Sequence, residues 1–404
     1  MRDPSIWPAG EIRPHHPSTV ERHARNQSVG FQSAVSRDGR IALWPGVPRM
    51  ESIVQTDGLA QHTPGPLFGR RRHSPGPGAA DGSHLRTARG GFHYRGPCFD
   101  RPVPHGGYAW WYIDAISDDR VHALALIAFV GSVFSPYYAW ARRRGDADPL
   151  NHCAFNVALY GPRASRWAMT ERGARKVERE QSILWIGPSA MCWTGDALHV
   201  AIHEICTPLP RRLRGSIRLT PSALCDRSFA LDGKGSHRWS PIAPCARIDV
   251  RLSDPAVTWS GSGYFDSNAG DAPLEDAFES WCWSRASLPD RSVVLYDSKP
   301  RESDLRSMAL EFDRHGTARD LELPPVAQLP ATGWRLSRQT RADPAQGVRV
   351  VRTLEDGPFY SRSQLETNLL GRRSAAIHES LSLDRFRSRW VQCLLPFRMP
   401  RIGR

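Results

Sequence analysis

The segment Ser236–Trp283 decides how this chain is expected to fold, and a carboxylate, an imidazole and several large aromatic rings lie within it. It contains, in order, His237-Arg238-Trp239, Trp259-Ser260-Gly261-Ser262-Gly263-Tyr264-Phe265-Asp266-Ser267-Asn268 and Trp281-Cys282-Trp283. Residues two positions apart lie on the same face of a β-strand. We therefore predict strands in which Tyr264 and Asp266 share one face and Phe265 lies on the other. By the same rule, residues 237 and 239 share a face, as do 281 and 283.

A carboxyl group at position 266 would be surrounded by aromatic side chains. Loss of hydration raises the pKa of a buried carboxyl group, so that it can remain a neutral acid near pH 7. Aromatic faces also attract any cation that its proton creates. This combination suits protonation of an alkene. The same alternation is equally typical of an ordinary half-buried strand, in which Gly-Ser-Gly is only a bulge or a turn.

The charge of the chain is strongly positive and comes mostly from arginine. The 404 residues carry a net charge of +13, and lysine occurs only at Lys176, Lys234 and Lys299. Such a charge favours anionic lipid head groups or nucleic acid as partners, although genomic base composition also produces arginine-rich proteins. No helix-turn-helix, zinc-finger or RNA-binding signature accompanies it, so a nucleic-acid partner is not favoured.

Residues 1–90 differ in composition from the rest of the chain. They are rich in Pro, Gly, Arg, His and Ser, and the segment Ile41–Trp44 is their only apolar cluster. A segment of this kind buries too little apolar surface to offset the entropy of ordering, so we predict that it is disordered. The folded body is expected to begin near residue 95.

Short segments of strand-like sequence recur from there to the C-terminus, each bounded by Gly, Pro, Asp or Ser. This pattern predicts an all-β protein made of antiparallel barrels or sandwiches. Its two halves, 95–255 and 256–404, are predicted to be separate β-domains. Turns are expected at Asp297–Lys299 and Asp313–Gly316. The predicted strands are 153–160, 166–170, 182–186, 190–193, 197–206, 215–219, 246–252, 280–285, 292–297, 306–312, 334–339, 348–354, 360–368 and 374–382.

Two apolar segments bear on membrane contact. The run Ala123–Phe134 is too short to span a bilayer, for which about 20 residues are needed, and it is predicted to form a buried strand pair or a bent barrel strand. The segment Arg385–Arg404 holds six Arg, no acidic residue and several large apolar side chains. It suits either docking on an anionic lipid surface or a final strand packed on the barrel.

The sequence lacks the motifs of the common cofactors. It has no Gly-x-Gly-x-x-Gly after a strand, no Walker loop, no Gly-x-Ser-x-Gly elbow and no His-Glu-x-x-His. The eight cysteines are scattered without a Cys-x-x-Cys pair, which favours free thiols over a zinc site or a disulfide framework. We therefore expect no cofactor and no metal, and any chemistry must come from acidic or basic side chains.

Four stretches resemble the acyclic carotenoid 1,2-hydratases of phototrophic bacteria, also called hydroxyneurosporene synthases. They are Gly106-Gly107-Tyr108-Ala109-Trp110-Trp111-Tyr112, the apolar run to Pro136, the segment 151–160, and Gly263-Tyr264-Phe265-Asp266-Ser267-Asn268. The resemblance covers about residues 95 to 404. It implies two tandem lipocalin-like β-modules with a cleft between them. It also implies cofactor-free addition of water to the terminal C1=C2 bond of neurosporene or lycopene.

The resemblance also implies roles for individual residues. Asp266 would protonate C2, and water would capture the tertiary cation at C1 to give a tertiary alcohol. Trp239, Tyr264 and one of the tryptophans at 281 and 283 would face the cation. His237 would reload the proton of Asp266 or orient the water. Asp114 and Asp254 remain alternative acids.

Three functions are therefore open at this stage. The hydratase would attach peripherally to the cytoplasmic side of the bacterial inner, photosynthetic membrane, with an acyclic carotenoid and water as substrates. The second function is a non-catalytic lipocalin-like carrier of a long isoprenoid, which the same aromatic cavity would serve. The third is an arginine-driven protein that binds nucleic acid or a membrane surface. The oligomeric state is not predicted.

Overall fold

The computed structural model describes residues 32–35, 41–44, 96–344 and 347–402. The chain divides into two compact units, Met1–Val54 and Gln55–Arg404. In the first unit, β1 (Gln32–Val35) pairs antiparallel with β2 (Ile41–Trp44). These two strands lie within the segment 1–90 that is predicted to be disordered. The remainder of that prediction falls outside the described residues.

The second unit contains a 13-stranded sheet that occupies most of its N-terminal part. Its strand order is β24-β6-β5-β4-β3-β14-β13-β11-β10-β9-β8-β7, and β12 pairs with β13 off this path. The strands are β3 (Tyr108–Ser117), β4 (Ala123–Val130), β5 (Cys153–Tyr160), β6 (Arg166–Arg172), β7 (Val177–Arg179), β8 (Ile183–Ile186), β9 (Ser189–Trp193), β10 (Leu198–Ile205), β11 (Arg212–Pro221), β12 (Phe229–Ala230), β13 (His237–Asp254), β14 (Ala256–Gly270) and, from the chain end, β24 (Arg401–Ile402).

The C-terminal part forms a seven-stranded sheet with the order β18-β17-β16-β15-β23-β22-β21, and β19 pairs separately with β20. These strands are β15 (Phe278–Ser287), β16 (Arg291–Pro300), β17 (Arg306–Asp313), β18 (Ala318–Asp320), β19 (Val326–Leu329), β20 (Arg338–Arg341), β21 (Arg349–Asp356), β22 (Tyr360–Leu369) and β23 (Arg372–Ser382). The α-helices of the described residues are α1 (Pro136–Arg143), α2 (Leu274–Ala277), α3 (Leu383–Arg387) and α4 (Arg389–Arg398).

This architecture confirms the predicted all-β class with two antiparallel modules. One pairing differs, because β24 joins β6 in the parallel sense. The predicted domain boundary at 255/256 falls in the turn between β13 and β14, which are neighbours in the same sheet. The change from one sheet to the other lies between Gly270 and Phe278, and the division into two domains stays a prediction.

Three local predictions are wrong. Asp297–Lys299 lies within β16, where it pairs with β15 and is not a turn. The segment predicted as a strand at 334–339 becomes one only from Arg338. For the chain end, the alternative of a final strand packed on the barrel is wrong over most of its length, because this part forms α3 and α4 and the last strand is only two residues long. The turn predicted at Asp313–Gly316 is confirmed, since the backbone N–H of Gly316 donates to the carbonyl of Asp313.

The apolar run that begins at Ala123 forms the strand β4, as predicted, and it is almost completely buried. The strand ends before Gly131, which has a positive φ of 68°. Ser135 then caps α1 by accepting a hydrogen bond from the backbone N–H of Tyr138. In the part of the chain that the structure describes, no helix has the length and apolarity needed to cross a membrane.

Strand β3 is buried on both faces and separates two apolar clusters. Trp111, Ile113 and Ala115 face the first cluster, which consists of residues of the large sheet and of adjoining segments such as Phe99. Trp110 and Tyr112 face the second cluster, which also contains residues of β15, β16 and β23 from the smaller sheet. The two sheets are therefore packed together through an aromatic layer, and this layer contains the candidate site.

The Gly-Ser-Gly sequence lies in the middle of β14 and is not a turn. Its pairing with β3 is continuous, whereas the pairing of β14 with β13 shifts register next to Gly263. Gly261 faces Ser117 of β3, and a Cβ atom at this position would meet the carbonyl oxygen of Ile116 at 2.0 Å. Gly263 is less crowded, with the nearest side-chain atom, from Ile248, at 3.2 Å. The glycine at 261 thus allows β14 and β3 to pair closely.

We predict that Gly261→Ala destabilises the protein by about 1–3 kcal/mol or more, because the added methyl group must displace the backbone of β3. Gly263→Ala is the matched control and should cost less. Chemical denaturation of both variants measures the difference. Equal stabilities would contradict the close approach of β14 to β3.

Candidate active site

Asp266 is buried on β14, where its two carboxylate oxygens have different surroundings. Oδ2 accepts hydrogen bonds from the Tyr264 hydroxyl at 2.7 Å and from Nε1 of Trp239 at 2.8 Å. Oδ1 is buried and has no hydrogen-bond partner among the described residues. Asp266 also lines an apolar cavity. One oxygen is thus held by two donors, while the other is free to carry a proton.

The pKa of Asp266 is raised to about 7, chiefly because burial removes the carboxylate from water. The hydrogen bonds from Tyr264 and Trp239 lower the pKa, but they only partly offset this effect. The negative charges of Glu379 and Asp114 raise it further. The carboxyl group is therefore able to hold its proton up to neutral pH.

Tyr264 and Trp239 lie behind Asp266 and do not line the cavity. Trp239 is fully buried, and its ring packs against Tyr296 with a centroid distance of 5.6 Å. Tyr264 packs against Trp283 at 5.4 Å. The structure thus brings these two residues to Asp266, as the sequence predicts, but as hydrogen-bond donors. The expectation that their rings face a cation is not met by this geometry.

His237 is placed differently from the prediction. It is buried beside Phe278, and its Nδ1 atom lies 3.0 Å from the Tyr108 hydroxyl. Among the described residues, no hydrogen bond joins its ring to Asp266. Burial lowers the pKa of His237, so its neutral form is favoured. This geometry gives no support to direct reloading of the Asp266 proton by His237, and both roles expected for this residue stay predictions.

The cavity has a volume of about 430 Å³ and lies between the two sheets. Small-molecule sites usually occupy ~300–1,000 Å³ and are mainly apolar. Its aromatic and aliphatic wall includes Trp110, Tyr112, Ile127, Phe129, Phe134, Trp167, Trp281, Trp283, Tyr296, Phe359 and Leu381. Trp281 and Trp283, which the sequence analysis singled out, therefore do lie at the cavity. The polar groups Asp266, Asn268 and Glu379 interrupt this wall.

A buried ion cluster lies beside the cavity and was missed by sequence reasoning. Nε of Arg285 donates to Asp114 Oδ2 at 2.7 Å, and Arg362 contacts Asp114 through the other oxygen. Arg362 also contacts Glu379, which accepts a further hydrogen bond from the Tyr112 hydroxyl at 2.8 Å. The sequence did contain a signal for this cluster, because charged residues stand in the middle of strands that are otherwise buried.

The two alternative acids are less suited to proton donation. Asp114 is fully buried, both of its carboxylate oxygens contact guanidinium groups, and it does not line the cavity. Asp254 lies at the end of β13, and it does not line the cavity. Within residues 96–344 and 347–402, no cluster of His, Cys, Asp and Glu has the arrangement of a metal site.

The cavity reaches the protein surface beside α4. Leu394 and Phe397 of this helix both line the cavity and are exposed, by 46% and 75% respectively. Trp390 is 49% exposed and stacks on Trp334 at a centroid distance of 6.0 Å. Spacings of four and three residues place Trp390, Leu394 and Phe397 on one helical face. This face is hereafter called the apolar rim, and two of its three residues, Leu394 and Phe397, line the cavity.

We predict that the Asp266 carboxyl group titrates with a midpoint near pH 7. Infrared difference spectroscopy should show its protonated C=O band below this pH, and Asp266→Asn should abolish the band. Tyr264→Phe should move the midpoint upward, because it removes a donor that favours the carboxylate. A band already lost near pH 4 in the wild-type protein would contradict the burial described above.

Two solved structures that match about two thirds of this chain share little sequence with it. A putative AttH from Nitrosomonas europaea has 12% identity and a TM-score of 0.45, and the match covers 68% of this chain and 92% of that chain. Kievitone hydratase from Nectria haematococca has 8% identity and a TM-score of 0.44, with coverage of 70% and 92%.

Curated relatives are much closer in sequence. A protein of Thiocapsa roseopersicina named acyclic carotenoid 1,2-hydratase is 49% identical over 404 residues, which is 100% of both chains. A protein of the same name from Rubrivivax gelatinosus is 46% identical over 375 residues, or 92% of both chains. The family model for the carotenoid hydratase CrtC matches residues 126–404. The chain therefore belongs to the CrtC family of carotenoid hydratases.

Proposed function

We propose that this protein adds water to the terminal C1=C2 double bond of an acyclic carotenoid, such as neurosporene or lycopene, to give a 1-hydroxy carotenoid. The observation that carries this proposal is the unpartnered Oδ1 of Asp266 at the wall of an apolar, aromatic cavity. The curated relatives with the name acyclic carotenoid 1,2-hydratase support the same reaction class.

The reaction begins with transfer of the Asp266 proton to C2. The electron pair of the double bond forms the new C2–H bond and leaves a tertiary cation at C1. A water oxygen then bonds to C1, and loss of one water proton gives the tertiary alcohol. General acid catalysis contributes ~10²–10⁴-fold when the acid is positioned and has a pKa near the working pH. The pKa of Asp266, about 7, fits this requirement.

The residues behind Asp266 prepare it for this step. Trp239 and Tyr264 donate to Oδ2, so the proton resides on Oδ1, the oxygen that has no partner among the described residues. The same two donors stabilise the carboxylate that remains after proton transfer. His237 supports the strand in which Trp239 lies, and it acts through packing. In this proposal Asp266 is the catalytic residue, and the other three are positioning residues.

The developing cation is stabilised by the aromatic wall. Trp283 and Tyr112 pack edge to face with a centroid distance of 5.6 Å, and Trp281 lies 6.1 Å from Tyr296. All four rings line the cavity together with Asp266. Aromatic faces attract a cation most strongly where water is excluded. The wall thus assists charge formation at C1 without supplying a nucleophile of its own.

A carrier of isoprenoids is the second candidate, because the apolar cavity alone would serve to bind one. Binding by apolar burial does not require a carboxyl group at the wall. Burying such a group with an unpartnered oxygen costs free energy, since its hydration is lost. A carrier gains nothing from burying this carboxyl group, whereas an acid catalyst needs the raised pKa that burial produces.

We also propose that the protein acts peripherally on the cytoplasmic side of the inner, photosynthetic membrane. The apolar rim at Trp390, Leu394 and Phe397 supports this, because exposed apolar side chains on one helical face favour insertion into a lipid interface. The segment 385–402 holds five Arg and no acidic residue, which favours anionic head groups. A carotenoid could then enter the cavity from the bilayer.

We predict that Asp266→Asn lowers hydration of lycopene by at least ~10²–10⁴-fold, because the amide cannot transfer a proton. Binding of the pigment should change little. In the wild-type protein the rate should fall as pH rises above about 7, where the acid is ionised. Product analysis by chromatography measures both effects.

The exposed carboxylate at Asp320 gives the matched control, and Asp320→Asn should retain full activity. An Asp266→Asn protein that folds normally and hydrates lycopene at a near-normal rate would end the assignment of the acid. A wild-type protein that binds lycopene but yields no hydroxylated product would favour the carrier.

We predict that replacing Trp390, Leu394 and Phe397 together by Ser lowers binding to vesicles that contain anionic lipid, since the apolar rim is lost. The matched control replaces three similarly exposed residues elsewhere, Leu209, Leu305 and Leu323. Vesicle flotation compares the variants, and equal loss in both would show that the rim is not the docking surface.

A further inference from the structure

Hydration needs a group that removes a proton from the attacking water, and the cavity offers a second carboxylate for this task. Glu379 lies on β23 of the smaller sheet and lines the same cavity as Asp266. Its Oε1 atom accepts a hydrogen bond from the Tyr112 hydroxyl and contacts Nη1 of Arg362. Its side chain is 15% exposed, while that of Arg362 is fully buried.

The partners of the two carboxyl groups differ in charge. Asp266 accepts only neutral donors, from Tyr264 and Trp239. Glu379 is in contact with a guanidinium group, which favours its ionised form. Burial raises the pKa of both groups, but for Glu379 this is opposed by Arg362. The pKa of Glu379 is nevertheless raised on balance, so the partners are what distinguish the two groups. Glu379 has a guanidinium beside it to pair with its carboxylate, whereas Asp266 has only neutral donors among the described residues.

Other carboxylates are less suitable as the base. Asp114 contacts Arg285 and Arg362 and does not line the cavity. Asp356 accepts a hydrogen bond from the backbone N–H of Gly333 at 2.7 Å. Glu355 accepts one from the Tyr160 hydroxyl at 3.0 Å and lies 3.8 Å from Arg398, next to the apolar rim.

We propose that Glu379 is a second catalytic residue, which as a carboxylate accepts a proton from the water that captures the C1 cation. This inference rests on the proposed hydration and on Asp266 as its acid. The water oxygen forms the C1–O bond with its lone pair, and the electron pair of one O–H bond stays on that oxygen. The released proton forms a new O–H bond on Glu379.

The cycle closes without any further reactant. After turnover, Asp266 is a carboxylate and Glu379 is a carboxylic acid, so one proton must pass between them. Water entering the cavity for the next reaction can relay this proton to Asp266. The net change is the addition of one water molecule to the double bond. Arg362 stays paired with Asp114 throughout, so the charge that orients Glu379 remains fixed.

Glu379→Gln separates the two halves of the reaction when it is tested in D₂O. Asp266 should still deliver a deuteron to C2, and the cation should then revert by losing a proton. Recovered lycopene should therefore contain deuterium near its end groups, while hydration falls by ~10²-fold or more. Mass spectrometry of substrate and product measures both outcomes. Asp266→Asn should lose hydration and exchange together.

Glu379→Asp provides a second variant that keeps the charge beside Arg362. Its shorter side chain should give partial activity, and circular dichroism and thermal unfolding should confirm that both variants fold. Near-normal hydration by folded Glu379→Gln would overturn the proposal. Loss of both hydration and exchange in folded Glu379→Gln would also overturn it, because Glu379 would then support the acid step.

The same experiment distinguishes this inference from the proposed function. If the wild-type protein neither hydrates lycopene nor exchanges deuterium into it, the proposed hydration fails and the role of Glu379 fails with it. If the wild-type protein hydrates lycopene and Asp266→Asn does not, the acid assignment stands. In that case the result for Glu379→Gln bears only on whether Glu379 is the base.

Discussion

Removal of the Asp266 carboxyl group from water is the constraint on which the site depends. The aromatic layer between the two sheets excludes solvent and raises the pKa of this group to about 7. Tyr264 and Trp239 donate hydrogen bonds only to Oδ2, so the second oxygen of the buried carboxyl group is left without these donors. A fully paired carboxylate would be a structural anion, and a solvated one would be ionised. Asp266 lies between these two cases, because only one of its oxygens is paired among the described residues and the group is shielded from water.

The buried ion cluster explains how the two sheets hold this layer between them. Asp114 belongs to β3 of the large sheet, whereas Arg285, Arg362 and Glu379 belong to the smaller one. A buried charge is costly unless it is paired, and each arginine here contacts at least one carboxylate. The cluster therefore favours one relative placement of the sheets, which is the placement that positions Glu379 at the cavity.

The alternation of residues along single strands allowed much of this arrangement to be predicted. Tyr264 and Asp266 share a face and Phe265 faces the other cluster, because side-chain direction in a strand is a local property. The partner of His237 could not be predicted in this way, since Tyr108 is 129 residues away. The same holds for Arg362 and Asp114, whose contact spans 248 residues and depends on sheet packing. The helical chain end was also missed, because Pro396 lies inside α4 and argues against a helix.

Central to the proposed function is the claim that the Asp266 acid lies against the terminal double bond of the carotenoid. A crystal structure with bound lycopene in the Asp266→Asn protein would test this claim most directly. We expect the terminal C2 atom at roughly 3–3.5 Å from the side-chain atom that replaces Oδ1, with the rest of the polyene leading past the apolar rim. A polyene bound with its end group far from residue 266 would contradict the claim.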